Sequence, residues 1–385
     1  MTLPMHFTEE EYAERRRRVC EKIAECGLDG LLIFRQESMF YLTGYDTFGF
    51  VFFQCLFLGL DGRMSLLTRS ADRLQATETS VIEDVRVWVD GPDAAPAAML
   101  RGILTEYGMA GSRLGVEYEA YGLTARNGKR LEAALEGFCT LEDASILVSE
   151  LRVVKSPTEI AYARRAGELA DDAWQAAQDL VAPGADEGEI LAAMQGAIFK
   201  GGGDYPGNEF IIGSGPGALL CRYYSGRRRL DRDDQITLEW AGVYRHYHAA
   251  MMRTIPLGNL PQRQADMHAL AREALLAVEE KLRPGSTFGE AFAAHAHTFD
   301  AAGMGDYRLN ACGYSLGTTF APNWMDWPML YRDNPVEFRA GMVVFCHMII
   351  FDSDRGLAMT LGRTSLVGED GPEPLSKAPL DLVVA

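Results

Sequence analysis

No stretch of this sequence approaches the roughly 18 uninterrupted apolar residues that a membrane-spanning helix requires. The N-terminal "MTLPMHFTEEEYAERRRRV" reads as the start of a polar, charged helix and lacks the apolar run of a secretory signal. The seven cysteines, at positions 20, 26, 55, 139, 221, 312 and 346, include no C-x-x-C pair. Their odd number and apolar settings argue against a disulfide framework and fit reduced thiols in a cytoplasmic protein. Basic charge is also scarce, with 37 Lys and Arg against 54 Asp and Glu, a formal net charge of −17. Nucleic acid and anionic membrane both need a basic surface, so neither is an expected partner. The glycine-rich "GSGPGAL" is followed by no Lys-Ser/Thr, which argues against a phosphate loop.

What remains is an ordinary globular composition, 48% apolar and 24% charged over 385 residues, which suggests about two domains. Thr8-x-x-Glu11 marks a helix start, and the helix runs to about Cys26. "GLDGLLIF", "VFFQCLFLGL", "MSLLT", "VRVWV" and "RLGVE" read as strands, with helical patterns near 95–108 and 124–137 between them. This predicts an α/β domain over residues 1–152. Ser156-Pro-Thr-Glu159 then forms a capping box with proline at the first helical position, and a second domain is expected over 153–385.

That second domain repeats itself. "PGADEGE" from Pro183 and "PGSTFGE" from Pro284 match at Pro, Gly, Gly and Glu. "GDYPGN" from Gly203 and "GDYRLN" from Gly305 match at Gly, Asp, Tyr and Asn. The offsets agree to within one residue, so two similar halves related by a pseudo-twofold axis are expected. Counting along "DQITLEWAG" and "MVVFCHMII" puts Glu239 and His347 at equivalent strand positions, aimed at one central cleft. "LEWAGVYRHYHAAMMRT", from Leu238, adds His246 and His248, read as alternating on one strand and sharing a face.

Together "MFYLTGYDTFGF", "LRVVKSPTEI", the paired Pro-Gly turns and "YHAAMMRT" resemble the creatinase/aminopeptidase P/prolidase superfamily, whose catalytic domain has the pita-bread fold. The resemblance implies a creatinase-type N-terminal domain, a pita-bread C-terminal domain and a homodimer in which the N-terminal domain of one subunit helps close the other's site. Peptidases of this superfamily hold two metal ions on five side chains. Those positions fall here on Glu239, Ala250, Tyr314, His347 and Gly362, so only one of four acidic positions stays acidic. Two metals are therefore not expected, since hard cations need several anionic oxygens. A single ion on Glu239, His248 and His347 is the alternative set. Within the superfamily the "LE-x-AG…YH…RT" pattern resembles the ectoine hydrolase branch, which the resemblance describes as opening a cyclic amidine without metal. Arg222 stands near where that branch keeps a histidine, a departure that bears on the substrate.

The expected chemistry follows. A carboxylate at the end of a buried strand, Glu239, is a nucleophile or a general base, unless it serves only a salt bridge. His347 and His248 are its acid/base partners. Tyr314, in the glycine-flanked "CGYSLGTTF", is a candidate ligand contact. Arg222 and Arg332 are candidates for a substrate carboxylate, which the guanidinium fork suits. Tyr45, Phe48, Phe50 and Trp327 are candidate aromatic walls for a cationic ring, as is Trp324. The resulting expectation is a metal-independent hydrolase, without cofactor, of a non-peptide C–N bond in a small zwitterion. The alternatives are a metal-dependent Xaa-Pro dipeptidase and a non-catalytic ligand-binding relative.

Overall fold

The computed structural model describes residues 4–222 and 226–385, and the chain divides into two compact units, Met1–Arg152 and Val153–Ala385. In the first unit six strands form one mixed sheet. They are β1 (Gly30–Ile33), β2 (Cys55–Gly59), β3 (Met64–Arg69), β4 (Val85–Trp88), β5 (Arg113–Val116) and β6 (Thr140–Asp143), in the order β4-β3-β2-β1-β5-β6. The strands β1 and β2 are buried along their whole length, which is why they read as continuous apolar runs rather than alternating ones. The first helix, Glu9–Glu25, starts where Thr8 Oγ1 accepts the Glu11 N–H. Helices Pro96–Glu106 and Ala125–Leu135 lie where the 3.6-residue pattern predicts them.

Three helices (Gln36–Thr43, Arg73–Thr79, Leu147–Arg152) and β6 go beyond the sequence pattern. Gln36–Thr43 is buried at every position but Glu37, so it has no polar face to set a period. The strand β6, "TLED", lacks apolar alternation and is held by parallel pairing with β5.

The second unit carries an antiparallel sheet of eight strands. They are β7 (Ile211–Ser214), β8 (Asp234–Tyr244), β9 (Tyr247–Leu257), β10 (Ala311–Ser315), β11 (Asp326–Tyr331), β12 (Val343–Asp352), β13 (Leu357–Val367) and β14 (Pro372–Pro374). The order is β11-β10-β12-β13-β9-β8-β7, with β14 paired to β13. Reading outward from the β9–β13 seam, each side presents a long hairpin and then short outer strands, β7 on one side and β10 and β11 on the other, which is the expected pseudo-twofold pita-bread arrangement. The seam pairs Met252 with Gly362, and the same transverse row continues to Glu239 on one side and His347 on the other. The helices obey the same symmetry. The N-cap residues Asp186 and Thr287 open the helices Glu187–Lys200 and Phe288–Ala301, and each makes an isolated bridge, to Arg229 and Glu337.

Helix Pro157–Gln178, opened by the Ser156/Glu159 capping box, lies directly on β8. Trp174 stacks on Trp240 at 5.6 Å, and the Trp240 indole N–H donates to Ala170 O at 2.9 Å. A Cβ at Gly242 would stand 1.9 Å from Ala166 O and 2.4 Å from Ala170 N, so only glycine admits the helix at this depth. At the seam, Arg253 Nη1 donates to both Met252 O (2.8 Å) and Gly362 O (2.6 Å). Among the described residues no helix is long and apolar enough to cross a membrane.

Because the atoms above Gly242 are backbone, they cannot turn aside. Gly242→Ala is therefore expected to lower stability by about 3 kcal/mol, at the upper end of overpacking costs, read from urea unfolding. An unchanged midpoint would show that the helix has room to move.

Candidate active site

Directly opposed residues of an antiparallel sheet share a face. The row Ile211–Glu239–Met252–Gly362–His347 therefore directs its side chains to one side. Across a flat sheet Glu239 and His347 would be about 14 Å apart, three strand spacings. The space between them is taken by Tyr314 from β10, whose hydroxyl reaches Glu239 Oε1 at 3.3 Å and whose ring centre is 5.7 Å from that of His347. All three line a cavity of about 150 Å³, walled by Ile211, Leu309, Met325, Met329 and Ile349 and completed by Asn208, Asn323, Cys221, Arg222 and Trp324.

Burial sets the proton affinities here. It pushes the Glu239 carboxyl up to about 7, with the Tyr314 hydroxyl and the Arg222 charge pulling the other way. It presses His347 down to about 4, and Arg222 adds to that fall. The Tyr314 hydroxyl rises well above its ordinary value through burial and the neighbouring carboxylate, so it stays protonated and donates. Among the described residues His347 Nδ1 is buried without a hydrogen-bond partner, an expensive state unless something in the cavity supplies one.

The expected residues divide. Glu239, His347, Tyr314 and Arg222 come together at the cavity, with Arg222 exposed. His248 does not reach it. Its Nε2 accepts the Gly207 N–H at 2.9 Å, and its Nδ1 lies 2.9 Å from His246 O. Burial lowers its pKa to about 3, so it stays neutral, with both nitrogens held by the backbone. Nor do His246 and His248 alternate on one strand. Arg245 and His246, at φ 50° and 64°, form the two-residue turn between β8 and β9, as a tight hairpin requires.

Trp327 packs on the separate apolar cluster around Phe288, Phe292 and Leu330, while Trp324 takes the cavity wall. Arg332 lies exposed on the turn just past β11 and is not among the cavity residues. In the first unit Tyr45 is a core residue, its hydroxyl 3.4 Å from Thr68 Oγ1, and Phe50 is buried. Phe48 is 78% exposed.

Phe345, Asn208 and Cys221 were not foreseen. Phe345 had a signal, since it lies two residues before His347 on the same strand face. Asn208 ends the repeated "GDYPGN" motif, whereas Cys221 lies on a loop, where no periodicity operates.

The cavity does not fit two metal ions. Glu239 is its only carboxylate, and among the described residues no three His, Cys, Asp or Glu ligand atoms converge there. Ala250 is packed in the core. At Gly362 an added Cβ would stand 2.9–3.0 Å from the Phe345 ring and from Cys346 O, so Phe345 fills the space that a ligand side chain at 362 would need. With His248 turned away, the single-ion set of Glu239, His248 and His347 does not assemble either.

Comparison with known proteins gives a consistent picture. The sequence model of metallopeptidase family M24 matches residues 161–369, and that of the creatinase/prolidase N-terminal domain matches residues 15–154. An ectoine hydrolase from Halomonas elongata is 28% identical over 397 aligned residues, covering 98% of each chain. An Xaa-Pro dipeptidase from Pyrococcus furiosus is 26% identical over 237, covering 62% of this chain and 67% of that one. A prolidase structure from Thermococcus sibiricus superposes with a TM-score of 0.87 at 19% identity, covering 97% of this chain and 99% of its own.

The raised Glu239 pKa has a measurable stability consequence. The folded carboxyl holds its proton up to about pH 7, against 4.5 for the ordinary group. Its ionisation therefore costs stability that is intact below about pH 4.5 and lost as pH rises through 7. Glu239→Gln removes that cost. The variant is expected to be more stable than the parent at pH 8, by up to about 3 kcal/mol, and to match it at pH 4. Equal stability at pH 8 would mean that the carboxylate is well solvated.

Proposed function

The chain belongs to metallopeptidase family M24, a family of hydrolases, and on that premise we propose that it hydrolyses a non-peptide C–N bond in a small zwitterion without a metal ion. The observation that carries this reading is that Glu239 is the cavity's lone carboxylate, while beside the cavity the Phe345 ring crowds any side chain at position 362. The ectoine hydrolase relative supports the same reaction class.

An amidinium or guanidinium carbon is already electron-poor, so it accepts a nucleophile without a Lewis acid. In the proposed route the substrate lies between Glu239 and His347. Its carboxylate pairs with Arg222, and its N–H donates to neutral His347. Glu239, about half ionised near pH 7, takes in its charged form a proton from water as the water oxygen bonds to the amidinium carbon. The C=N electrons move onto nitrogen, giving a tetrahedral species. Glu239 then returns the proton to the leaving nitrogen and takes up the hydroxyl proton as the C–N bond breaks, leaving a carbonyl (an amide from an amidinium, a urea from a guanidinium) and an amine, both on one product where the amidine is cyclic. A pKa near the working pH suits a group that must both take and give that proton. A covalent variant has Glu239 itself bond to the carbon, with water cleaving the adduct afterwards. Acid quench and mass spectrometry of the intact chain distinguish the two.

The second reading is the metal-dependent Xaa-Pro dipeptidase, which the Pyrococcus relative favours. It separates cleanly from the first. Turnover of a cyclic amidine or guanidino acid is expected to survive exhaustive chelation and to fall by at least about 10³-fold in Glu239→Gln, as for loss of a general base. Loss on chelation with recovery on Mn²⁺ or Zn²⁺ would establish the dipeptidase instead. A chain that binds such compounds but turns over none would be the non-catalytic relative.

We further propose a cytoplasmic homodimer whose contact includes the exposed Phe48 and Val51. Light scattering is expected near twice the 42.5 kDa chain mass, and a monomer at micromolar concentration would rule this out.

A further inference from the structure

His248, excluded from the cavity, is linked to Glu239 by hydrogen bonds that meet at the backbone of Trp324 and resume at its indole, and whose directions are fixed by chemistry. A backbone N–H only donates and a carbonyl only accepts. Gly207 N–H therefore requires His248 Nε2 to be the bare nitrogen, and His246 O requires Nδ1 to carry the proton. The Thr319 hydroxyl oxygen lies 3.1 Å from Nδ1 and can only accept from it, which turns its own proton toward Trp324 O at 3.4 Å. On the other side of the imidazole, Gly207 leads directly to Asn208, whose Oδ1 accepts the Trp324 N–H at 3.1 Å. Both backbone groups of Trp324 are thus held by segments that His248 pins. The Trp324 indole N–H, a donor only, points at the Tyr314 oxygen at 2.8 Å. That oxygen must accept, so the phenolic proton is left for Glu239 Oε1 at 3.3 Å. Glu239 Oε2 receives no hydrogen bond from any described residue.

We infer that His248, Thr319, Asn208 and Trp324 form a positioning relay that holds the Tyr314 hydroxyl on Glu239 Oε1 and leaves Oε2 as the oxygen that acts. His248 is a positioning residue in this arrangement, and Tyr314 is the last link rather than a general ligand contact. The inference rests on Glu239 being the reacting group, but its physical content is the setting of one carboxyl group.

The test therefore needs no substrate. The C=O stretch of the protonated Glu239 carboxyl, assigned by its absence in Glu239→Gln, is followed by infrared spectroscopy from pH 4 to 9. The other ionisable groups facing the carboxyl are Arg222, Cys221, Tyr314 and His347, and all but Tyr314 are left untouched by the variants. The parent midpoint is expected near 7. Tyr314→Phe removes a bond to the charged form and raises the midpoint by about one pH unit. Trp324→Phe raises it by less, because the hydroxyl remains but loses its orienting donor. His248→Phe does the same from two steps further away.

The deciding feature is non-additivity. In the Tyr314→Phe background neither Trp324→Phe nor His248→Phe moves the midpoint again. Thermal melting checks that each variant is folded, and should His248→Phe fail to fold, the Trp324 pair of measurements decides alone. A Trp324→Phe midpoint equal to the parent's overturns the relay, as does a shift that adds to that of Tyr314→Phe. A normal relay in a protein that hydrolyses no amidine would instead overturn the proposed reaction and leave the relay standing.

Discussion

One guanidinium joins the two halves of the second unit. Arg253 Nη1 binds the carbonyls of Met252 and Gly362, the pair through which the pseudo-twofold axis runs. Among the described residues its Nε and Nη2 are buried without partners, and burial, with Arg363 nearby, lowers its pKa to about 10. Leaving part of a cation unsatisfied is costly, so the seam must return more than it costs. It fixes the register of β9 against β13, and a slip of one residue would turn every side chain of one half to the wrong face. Glu239 and His347 can address one cavity only because that register holds.

Symmetry places the groups, and asymmetry gives them their chemistry. The doublet Arg253-Thr254 recurs as Arg363-Thr364, yet Arg363 is ion-paired with Glu279 in bidentate fashion while Arg253 is not. The row positions likewise carry a carboxylate on one side and an imidazole on the other. Burial then drives their pKa values past each other, the carboxyl up to about 7 and the imidazole down to about 4, so near neutral pH one is poised to exchange a proton while the other is uncharged.

The repeat was the most legible feature of the sequence. Matched Pro-Gly turns and Asn-ended loops announce the two halves, counting along "DQITLEWAG" and "MVVFCHMII" puts Glu239 opposite His347, and the strand register sets both in one transverse row. The misplacements have separate causes, and for His246 it is an alternation that does not continue through a turn. His246 was read as a strand residue because "RHYH" alternates, but Arg245 and His246 take positive φ without a glycine to announce it. His248 and Trp327 have the right chemistry, yet their orientation depends on partners far away in sequence, Gly207 and the Phe288 cluster. Tyr45 looked like a loop aromatic because the buried Gln36–Thr43 helix before it carries no periodic signal.

The contact between Phe345 and Gly362 also constrains the order in which this site could have changed, or could change back. With the Phe345 ring against the Gly362 Cα, an acidic residue introduced at 362 meets an occupied volume before it meets a cation. Shrinking Phe345 first would open a void between Tyr314 and His347, loosening the rings that frame the Glu239 carboxyl. Neither single step is neutral, so the two positions form an epistatic pair. Such a pair works as a latch in sequence space: an acidic side chain at 362 comes only with a change at 345, however easily the other positions of the row are altered.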